Sequence, residues 1–564
     1  MKRIIILLGI VWQAAVLLAQ TSQEVQLLQK RLKSFAYATN VEEVNANEYN
    51  VSLSSGETFT LRCGNKKVAP FKSIDVKSGS VAVKPYKGKA FKISRVPDQA
   101  GALMALYKAT GGDAWTKKNN WGTSDNGVAN WSGITCNESG DVVRIRLANN
   151  NLQGKLPDVF YAFPNLRQLS VDKNQLTGVL PRSLAWLPDN CIIDIRRNRL
   201  SASTLYVSRE RLPIVAKNIR PYPQKPEHNN FRLFVDCDVD LNPTQGYHKD
   251  GECRLYQKAT EGAGINIFVI GDGYDKAEHA VGGTVDYWLE RAAEAMFDIE
   301  PMSKLRNLFN VYIIYAYSEE KGTGLFEDKR NPRFGCWQKN PTKSSATRFN
   351  RREICNVCFN SLEAAGYKDD PTKHLYVNMA VNCTNVGLYH GMMYSRKIDG
   401  QEGRGLRVSI NPTHPKSFNP LVWHEFCGHG YGSLKDEYTP RKNDPNKRYE
   451  KESFPGANID TESDPEKVKW AQFIKDPRYA HERIGVYKGA WNCVNLYRAT
   501  ESSIMRKGGN SKERFNAPSR AEIYKKAMKM AYPNWEFDYE EFVKFDMGDK
   551  YYPLPTEITN TENR

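Results

Sequence analysis

The chain has 564 residues, enough for roughly three or four domains, and its composition is that of a globular protein: 40% hydrophobic, 26% charged and only 28 prolines. This composition excludes a collagen-like, mucin-like or mainly disordered protein. The net charge is +16, but acidic and basic residues alternate along the chain, so the charge does not predict a nucleic-acid-binding groove.

The first twenty residues are organised like a secretory signal peptide. Lys2 and Arg3 precede an apolar run over residues 4–18, and Ala19 supplies a small side chain at the cleavage position. This run is shorter than the roughly 20 residues of a membrane-spanning helix, and no later stretch is apolar enough to cross a bilayer. The sequence therefore predicts a signal peptide over residues 1–20 and a secreted or periplasmic protein without a membrane span.

Residues 21–96 contain short runs of alternating apolar and polar side chains, such as 58–61 and 81–83, separated by Gly and Ser. Such alternation predicts a small β-rich region. From about residue 97 the pattern becomes helical, with Leu103 and Leu106 on the apolar face.

An internal repeat follows this helix. Asn150, Asn174 and Asn198 are spaced 24 residues apart, and each sits in the same frame of apolar residues. A period of about 20 to 29 residues is typical of leucine-rich repeats, in which the asparagine side chain hydrogen-bonds turn backbone inside the stack. We therefore predict capped leucine-rich repeats over residues 97–212. The predicted cap contains Trp115, Trp121, Trp131 and Cys136.

The repeat segment has two interpretations. It is either a surface that binds a protein or glycan ligand, or a spacer that positions a neighbouring domain. Three repeats are few for a stacked core, so the cap and a neighbouring domain are expected to shield the apolar ends of the stack from solvent. The proline-rich residues 213–230 predict a linker after the repeats.

The remaining residues, 231–564, have an α/β pattern. The apolar run 265–270 predicts a buried strand, and a helix containing Trp288, Leu289 and Met296 on its apolar stripe follows it. Further strands are predicted over residues 309–315, 375–381 and 406–410.

The strongest chemical signal is a pair of histidines around a glutamate, His424-Glu425-Phe426-Cys427-Gly428-His429. Zinc hydrolases commonly carry HExxH, because residues four apart differ by only about 40° around a helix. Here the histidines are five apart, which is about 140° on a regular α-helix. A π-bulge absorbs one residue and restores the shared face, and Gly428 is expected to ease that distortion. The sequence therefore predicts a metal site on a locally widened helix.

A catalytic zinc site needs a third protein ligand and one open position. Gly432 lies three residues after His429, and this spacing resembles metzincin-type sites, in which the helix breaks and the chain returns a third ligand. The candidates are Asp436 and Glu437. We assign Asp436 as the ligand and leave Glu437 to orient a histidine or to pair with a basic residue; the exchanged roles are the alternative. Glu425, beside His424, is the predicted general base.

Residues 260–535 resemble the bacterial IgA-peptidase type of secreted zinc metallopeptidase. The resemblance rests on 267–274 with Ala277-Glu278, on 309–312, on 424–438 ending in Asp436-Glu437-Tyr438, and on 485–490 followed by 503–506. It implies a metzincin-like fold with zinc held by the two histidines and with Met505 resembling the methionine turn below the metal. The extra residue between Glu425 and His429 departs from the prototype spacing, and the repeat segment is no part of the resemblance.

These observations predict a multidomain protein: a small β-rich N-terminal region, a short leucine-rich-repeat segment and an α/β metzincin-like metallopeptidase domain over residues 231–564. The predicted activity is that of a zinc-dependent endopeptidase acting on protein or peptide substrates, with Glu425 taking a proton from zinc-activated water. Strand 406–410 is a candidate edge strand for pairing with an extended substrate. Tyr487 and Tyr497 are weaker candidates for stabilising the oxyanion.

Two other functions fit the same residues. One is an exported leucine-rich-repeat binding protein or adhesin whose zinc site is vestigial or structural. The other is a zinc hydrolase that acts on bonds other than peptide bonds.

Overall fold

The computed structural model describes most of residues 99–548 and six short strands between residues 40 and 94. Outside the described residues are 1–39, 46–47, 53–57, 63–70, 78–79, 86–90, 95–98, 124–126, 208, 210, 223, 226–230, 232, 238–245, 326–329, 339–346, 366–373, 383–391, 398–404, 414–416, 443, 451–455, 509 and 549–564. The predicted signal peptide, residues 1–20, lies outside the described part of the chain. The chain divides into two units, one of residues 1–207 and 218–235 and the other of residues 208–217 and 236–564.

The N-terminal part of the first unit contains six strands, as the alternating pattern predicts. They are β1 (Asn40–Asn45), β2 (Glu48–Ser52), β3 (Thr58–Arg62), β4 (Phe71–Lys77), β5 (Ser80–Pro85) and β6 (Phe91–Ser94). They form one sheet in the order β1-β2-β6-β5-β4, with β3 beside β2.

The repeats build two small parallel sheets, because each repeat contributes one strand to each of them. Helix α1 (Gln99–Ala109) precedes β7 (Ile134–Cys136), β8 (Val142–Arg146), β9 (Gln153–Lys155), β10 (Gln168–Ser170), β11 (Gln175–Gly178), β12 (Ile192–Asp194), β13 (Arg199–Leu200) and β14 (Ser203–Val207). Short 3-10 helices lie at Gly112–Ala114, Gly127–Asn130, Phe160–Ala162 and Arg182–Trp186. Ile145, Leu169 and Ile193 stand in register on β8, β10 and β12 and are fully buried or nearly so.

The predicted cap is a cluster of aromatic rings at the start of the repeats. The Trp121 ring lies 4.8 Å from the Trp115 ring and 5.0 Å from the Trp131 ring, centroid to centroid. The Trp115 indole N–H donates to the Thr110 carbonyl at 3.0 Å, which joins the cluster to the end of α1. These rings cover the apolar interior next to the first repeat.

The repeating asparagines hold the stack together through buried hydrogen bonds. The Asn174 side chain accepts from the backbone N–H groups of Asn150 and Leu152 at 2.9 and 3.0 Å. Its amide donates to the Leu147 and Val171 carbonyls at 2.8 and 2.9 Å. One side chain therefore satisfies four backbone groups from two successive repeats, which explains the 24-residue spacing.

Asn174→Ala is expected to destabilise the repeat segment by about 3 to 5 kcal/mol, because it leaves buried backbone groups without partners. The measurement is hydrogen exchange at the amides of Asn150 and Leu152, which we expect to accelerate. Asn165→Ala is the control, since that exposed side chain bonds only to the Asp141 carboxylate. Equal protection in the two variants would show that the asparagine ladder does not stabilise the stack.

Residues 213–230 were predicted as a linker, and the structure differs at their start. Helix α2 (Leu212–Asn218) is followed directly by strand β15 (Ile219–Arg220), which pairs in parallel with β12. Leu212, Val215 and Ile219 are buried. Burial of these apolar side chains stabilises the helix and the strand, although the surrounding prolines favour a loop. The segment therefore adds a further strand to the repeat sheet, and β16 (Leu233–Cys237) then pairs with β14.

The second unit is built on a six-stranded sheet in the order β17-β19-β18-β23-β25-β24. The strands of the whole second unit, which also form two three-stranded sheets, are β17 (Cys253–Gln257), β18 (Ile265–Asp272), β19 (Phe309–Ile314), β20 (Gly324–Leu325), β21 (Trp337–Gln338), β22 (Thr347–Arg348), β23 (His374–Val381), β24 (Met392–Lys397), β25 (Gly405–Pro412), β26 (Ile459–Asp460), β27 (Tyr487–Ala490) and β28 (Cys493–Arg498). Its helices are α3 (Thr284–Ala295), α4 (Arg351–Ala364), α5 (Phe418–Leu421), a π-helix (Val422–Tyr431), α6 (Ala471–Lys475), α7 (Ala517–Ala531) and α8 (Tyr539–Met547). Further 3-10 helices lie at Lys276–His279, Arg306–Leu308 and Pro477–Glu482.

Helices cover both faces of this sheet, so its central strands are rich in apolar residues and largely buried. All eight residues of β18 are buried. The α4 side chains Ile354, Val357 and Cys358 pack on one face of the sheet, in the same core as Phe268. The Asn378 amide of β23 donates to the Ala292 carbonyl of α3 at 2.9 Å on the other face. The Trp423 indole of the π-helix donates to the Ala295 carbonyl at 2.9 Å, so the π-helix lies beside α3.

The predicted edge position of strand 406–410 is wrong. β25 pairs in parallel with β23 on one side and antiparallel with β24 on the other. Because both sides of β25 are hydrogen-bonded within the sheet, it cannot add a substrate strand; in the described sheet, β24 is the outer strand on this side.

Among the residues that the structure describes, no helix combines the length and the apolarity needed to cross a bilayer.

Candidate metal centre

The two histidines of the HExxxH motif lie on a π-helix. Helix α5 changes into this π-helix at Val422, and the π-helix continues through Tyr431. Because π-helical hydrogen bonds join residues five apart, side chains at that spacing lie on the same face. The prediction of a locally widened helix is confirmed, and the widening extends over ten residues rather than one bulge.

Two glycines permit the close packing of this helix. A Cβ on Gly428 would overlap with the sulfur of Met505, and a Cβ on Gly432 would lie 2.8 Å from Ile523 and 2.9 Å from the Cys427 carbonyl oxygen. We expected Gly428 to ease the backbone distortion. Its φ is not positive, so the structure assigns the requirement for glycine to the contact with Met505.

Both imidazoles are oriented by backbone carbonyl groups. The Nδ1 of His424 lies 2.8 Å from the Ile504 carbonyl oxygen, and the Nδ1 of His429 lies 2.7 Å from the Leu434 carbonyl oxygen. A carbonyl oxygen only accepts hydrogen bonds, so each Nδ1 carries the proton and donates. Each Nε2 is therefore the ring nitrogen available to a metal, which binds it in place of the proton that the nitrogen donates to Asp436.

Asp436 is the carboxylate that meets both imidazoles. Its Oδ1 lies 3.2 Å from the Nε2 of His424 and 3.2 Å from the Nε2 of His429. The two rings are nearly perpendicular, with centroids 4.7 Å apart. One ligand atom from each of the three residues lies within 4.8 Å of the others, and no other such group of His, Cys, Asp or Glu occurs in the described parts of the chain.

The electrostatics of this group are those of a site for a cation. Burial lowers the pKa of His424, but the hydrogen bond to Asp436 and the charge of Glu425 outweigh burial and raise the pKa to about 9. Burial raises the pKa of Asp436, but hydrogen bonds from the two histidines outweigh it and hold the pKa below its usual range. Positive charge among these three side chains is therefore favoured.

Glu425 follows His424 on the π-helix and is 8% exposed. Its charge contributes to the raised pKa values of His424 and Tyr438, and it is not one of the three residues whose ligand atoms converge. A carboxylate next to one ligand in the chain but outside the ligand set is compatible with the predicted role of general base.

Glu437 points away from the ligand atoms into a buried polar cluster. Its carboxylate accepts from Ser503 at 2.6 Å and from Asn458 at 2.9 Å, and its backbone N–H donates to the Met505 carbonyl at 2.9 Å. Glu437 therefore ties the segment after the π-helix to the segment around Met505. In the described structure Glu437 makes no hydrogen bond to either histidine ring, and it orients His424 only indirectly, through the segment that contains Ile504.

Met505 lies fully buried against the π-helix, where sequence resemblance placed a methionine turn. The same segment orients His424 from two sides. The Ile504 carbonyl accepts from its ring, and a Cβ on Gly508 would lie 3.0 Å from that ring. A side chain at position 508 would therefore crowd the His424 imidazole, and glycine leaves the space that this ring occupies.

Two basic side chains donate hydrogen bonds to the C-terminal end of the π-helix. Arg407 of β25 donates to the Gly430 carbonyl at 3.1 Å and to Ser433 Oγ at 2.6 Å. Lys526 of α7 donates to the Tyr431 carbonyl and to Ser433 Oγ. Burial, together with the charge of Arg407, lowers the pKa of Lys526 to about 7. The Arg407 charge interacts favourably with the free carbonyl groups at the helix C-terminus, and Lys526 adds hydrogen bonds at the same end, so both residues stabilise the turn that leads to Asp436.

Other tyrosine, histidine and cysteine side chains near the motif in sequence make contacts of their own. The Tyr487 hydroxyl donates to the Arg483 carbonyl at 2.8 Å, and Tyr497 is on β28. His481 is exposed and its Nδ1 bonds to the Arg478 carbonyl at 3.1 Å, whereas His414 is outside the described residues. Cys427, within the motif, is buried with its thiol 3.6 Å from the Met296 carbonyl.

Sequence reasoning missed Tyr438 and the carbonyl groups of Ile504 and Leu434. The Tyr438 ring stacks on the His424 ring at 6.1 Å with an interplanar angle of 22°. Its membership of the Asp436-Glu437-Tyr438 triplet was a usable signal. No sequence signal identifies the carbonyl groups, because every residue has one.

Comparison with known families supports both parts of the sequence prediction. The family model described as IgA Peptidase M64 matches residues 254–478, which include the π-helix and Asp436. The resemblance to the IgA-peptidase type is thus confirmed for this region, and the chain contains a peptidase M64 region. The segment around Met505 lies beyond the matched residues.

A quarter or less of the chain is similar to plant leucine-rich-repeat proteins. MDIS1-interacting receptor like kinase 1 from Arabidopsis thaliana is 31% identical over 136 residues, 24% of this chain and 13% of the receptor. LRR receptor-like serine/threonine-protein kinase RGI3 from the same plant is 33% identical over 91 residues, 15% of this chain and 8% of the kinase. The solved LRR ectodomain of the receptor kinase SOBIR1, also from A. thaliana, is 17% identical with a TM-score of 0.17, covering 23% of this chain and 66% of that one. The leucine-rich-repeat segment is confirmed, and the chain spans about an eighth or less of the length of these two curated receptor kinases.

Proposed function

We propose that the protein is a secreted zinc-dependent endopeptidase that hydrolyses protein substrates with Glu425 as general base. The observation that carries the proposal is that two imidazole Nε2 atoms and one Asp436 oxygen lie within 4.8 Å of one another, with Glu425 next to His424 in the chain. Lys2, Arg3 and the apolar residues 4–18 support export. The M64 match supports peptide bonds as the bonds that are cut.

The residues fit a zinc ion. Two neutral imidazoles and one carboxylate are a catalytic zinc donor set, which leaves one position open. The carbonyl groups of Ile504 and Leu434 fix each imidazole in the tautomer that presents Nε2. We assign His424, His429 and Asp436 as the ligands, and Glu437 as a structural carboxylate.

The mechanism follows from the position of Glu425. A bound zinc ion supplies Lewis acidity, which polarises the scissile carbonyl and lowers the pKa of water. The Glu425 carboxylate takes a proton from the attacking water and later gives it to the leaving amine. Because Glu425 is almost entirely buried, its carboxylate is held in place and acts in a medium of low dielectric.

A metzincin-like arrangement is part of this proposal. Supporting features are the antiparallel outer strand β24, the metal-binding helix that follows β25, and Met505 beneath that helix. We infer that an extended substrate pairs with the side of β24 that is outermost in the described sheet rather than with β25, since backbone pairing aligns a peptide without requiring particular side chains.

The experiment uses the full chain and a mixed peptide library, with new termini identified by mass spectrometry. We expect cleavage by the zinc-loaded protein, loss of cleavage after treatment with 1,10-phenanthroline, and recovery when zinc is added back. Cleavage that persists after the metal has been removed, with zinc content verified by elemental analysis, would contradict the proposal. So would a zinc-loaded protein that leaves every peptide intact.

The second candidate is an exported leucine-rich-repeat binding protein or adhesin with a structural metal site. The similarity to plant LRR receptor kinases favours it. The same experiment separates the two, because an adhesin binds zinc but leaves the peptides intact.

A further inference from the structure

Tyr438 is held next to the candidate metal centre, two residues after Asp436. Its ring lies almost parallel to the His424 ring, which is one of the two imidazoles of the site. The charges of Asp436 and Glu425 both act on the Tyr438 hydroxyl, so Tyr438 belongs to the same electrostatic environment as the candidate metal centre.

The backbone on each side of Asp436 and Tyr438 is fixed by the turn between β27 and β28. The Trp491 N–H donates to the Asp436 carbonyl at 3.0 Å, and the Asn492 N–H donates to the Tyr438 carbonyl at 2.8 Å. Trp491 and Asn492 both have positive φ, 47° and 58°, which aims the two N–H groups at this segment. Tyr438 is therefore positioned by the same contacts that position the candidate ligand Asp436.

The hydroxyl of Tyr438 makes no hydrogen bond to the described residues, although the side chain is half-buried. The contrast with other tyrosines of this unit is clear. The Tyr487 hydroxyl donates to the Arg483 carbonyl, and the Tyr315 hydroxyl donates to the Asp286 carboxylate at 2.6 Å. A phenol is protonated at neutral pH and can donate one hydrogen bond, so Tyr438 has a donor available at the site.

Hydrolysis of a peptide bond turns the carbonyl oxygen into an oxyanion, and a fixed donor aimed at that oxygen stabilises the transition state. We propose that Tyr438 is a catalytic residue that donates its hydroxyl hydrogen bond to the carbonyl oxygen of the scissile peptide bond as that oxygen becomes negative. No proton is transferred in this step, since the hydrogen bond alone strengthens as charge develops. The inference rests on the proposed peptidase function and replaces Tyr487 and Tyr497 as candidates for this role.

The test compares Tyr438→Phe with Tyr487→Phe in the full, zinc-loaded chain. Tyr438→Phe removes one oxygen atom and keeps the ring that stacks on His424. We expect kcat to fall about 10²- to 10³-fold with KM little changed and with zinc content equal to that of the unaltered protein. Tyr487→Phe, which loses only a hydroxyl bonded to a carbonyl in an exposed loop, should keep full activity.

A second readout does not depend on turnover. A phosphinic analogue of a cleaved library peptide mimics the tetrahedral state of the reaction. We expect Tyr438→Phe to bind this analogue more weakly, by the same factor by which kcat falls. The affinity of the variant for the cleavage products should stay constant. Unchanged kcat and unchanged analogue binding in Tyr438→Phe would overturn the inference, as would loss of zinc from that variant. If Tyr438→Phe is fully active while Glu425→Gln is inactive, only the role of Tyr438 is wrong; if the unaltered protein cuts no peptide, the proposed function itself fails.

Discussion

Glu425→Gln is expected to lower the rate of peptide hydrolysis by about 10²- to 10⁴-fold while zinc content stays the same. The substitution keeps the size of the side chain but removes the basic oxygen that takes the proton from water. Because Glu425 is not one of the three candidate ligands, the substitution leaves every ligand atom in place. The measurement is kcat/KM on a library peptide, together with elemental analysis of the same sample.

Glu466→Gln is a matched control for this variant. Glu466 is exposed, and its carboxylate pairs with Lys475 on the surface. We expect full activity from it. Activity of Glu425→Gln equal to that of the control would show that another group is the base.

His429→Ala is expected to abolish zinc binding, with content falling from about one ion per chain to almost none. The variant removes one Nε2 and leaves only one imidazole and one carboxylate. Two ligands bind zinc too weakly to keep it on the protein during purification. It should also lose the stabilisation that zinc confers, about 4 kcal/mol at a free zinc concentration a thousand times the dissociation constant. Elemental analysis and thermal unfolding with and without chelator measure the two effects.

His481→Ala is the control for this second variant, because the His481 ring is exposed and bonds only to the Arg478 carbonyl. We expect it to retain zinc and to unfold at a higher temperature with zinc than with chelator. If His429→Ala binds zinc as well as His481→Ala does, the ligand assignment is wrong.

The widened helix was predictable because helical geometry allows few solutions for two ligands five residues apart. His424 and His429 share a face only if each turn of the helix contains more residues than a turn of an α-helix. The observed π-helix meets this condition, because its hydrogen bonds join residues five apart. The reason for Gly428 was not predictable. It depends on the position of Met505, which is 77 residues away in the chain and comes close only through the tertiary fold.

The choice between Asp436 and Glu437 shows a further limit. Neighbouring residues in an extended segment point in opposite directions, so only one of them faces the histidines. Which one does so depends on the buried partners of Glu437, namely Ser503, Asn458 and Asn516. Those partners are distant in the sequence, and therefore the sequence left both alternatives open.

Strand order was the other source of error. The apolar run 406–410 predicted a strand correctly, but its neighbours are set by long-range pairing. The polar Met392–Lys397 strand occupies the outer position instead. The asparagine ladder, in contrast, was predictable from the repeat spacing, because its contacts between neighbouring repeats join residues about one repeat apart.

The central claim is that the π-helix brings two imidazoles onto one ion. The most direct measurement is anomalous diffraction from crystals of the zinc-loaded protein, with data collected on both sides of the zinc absorption edge. The account predicts one strong anomalous peak at about 2.0 to 2.2 Å from the Nε2 atoms of His424 and His429 and from an oxygen of Asp436. Rings that point apart, or a zinc peak located at other residues, would contradict it.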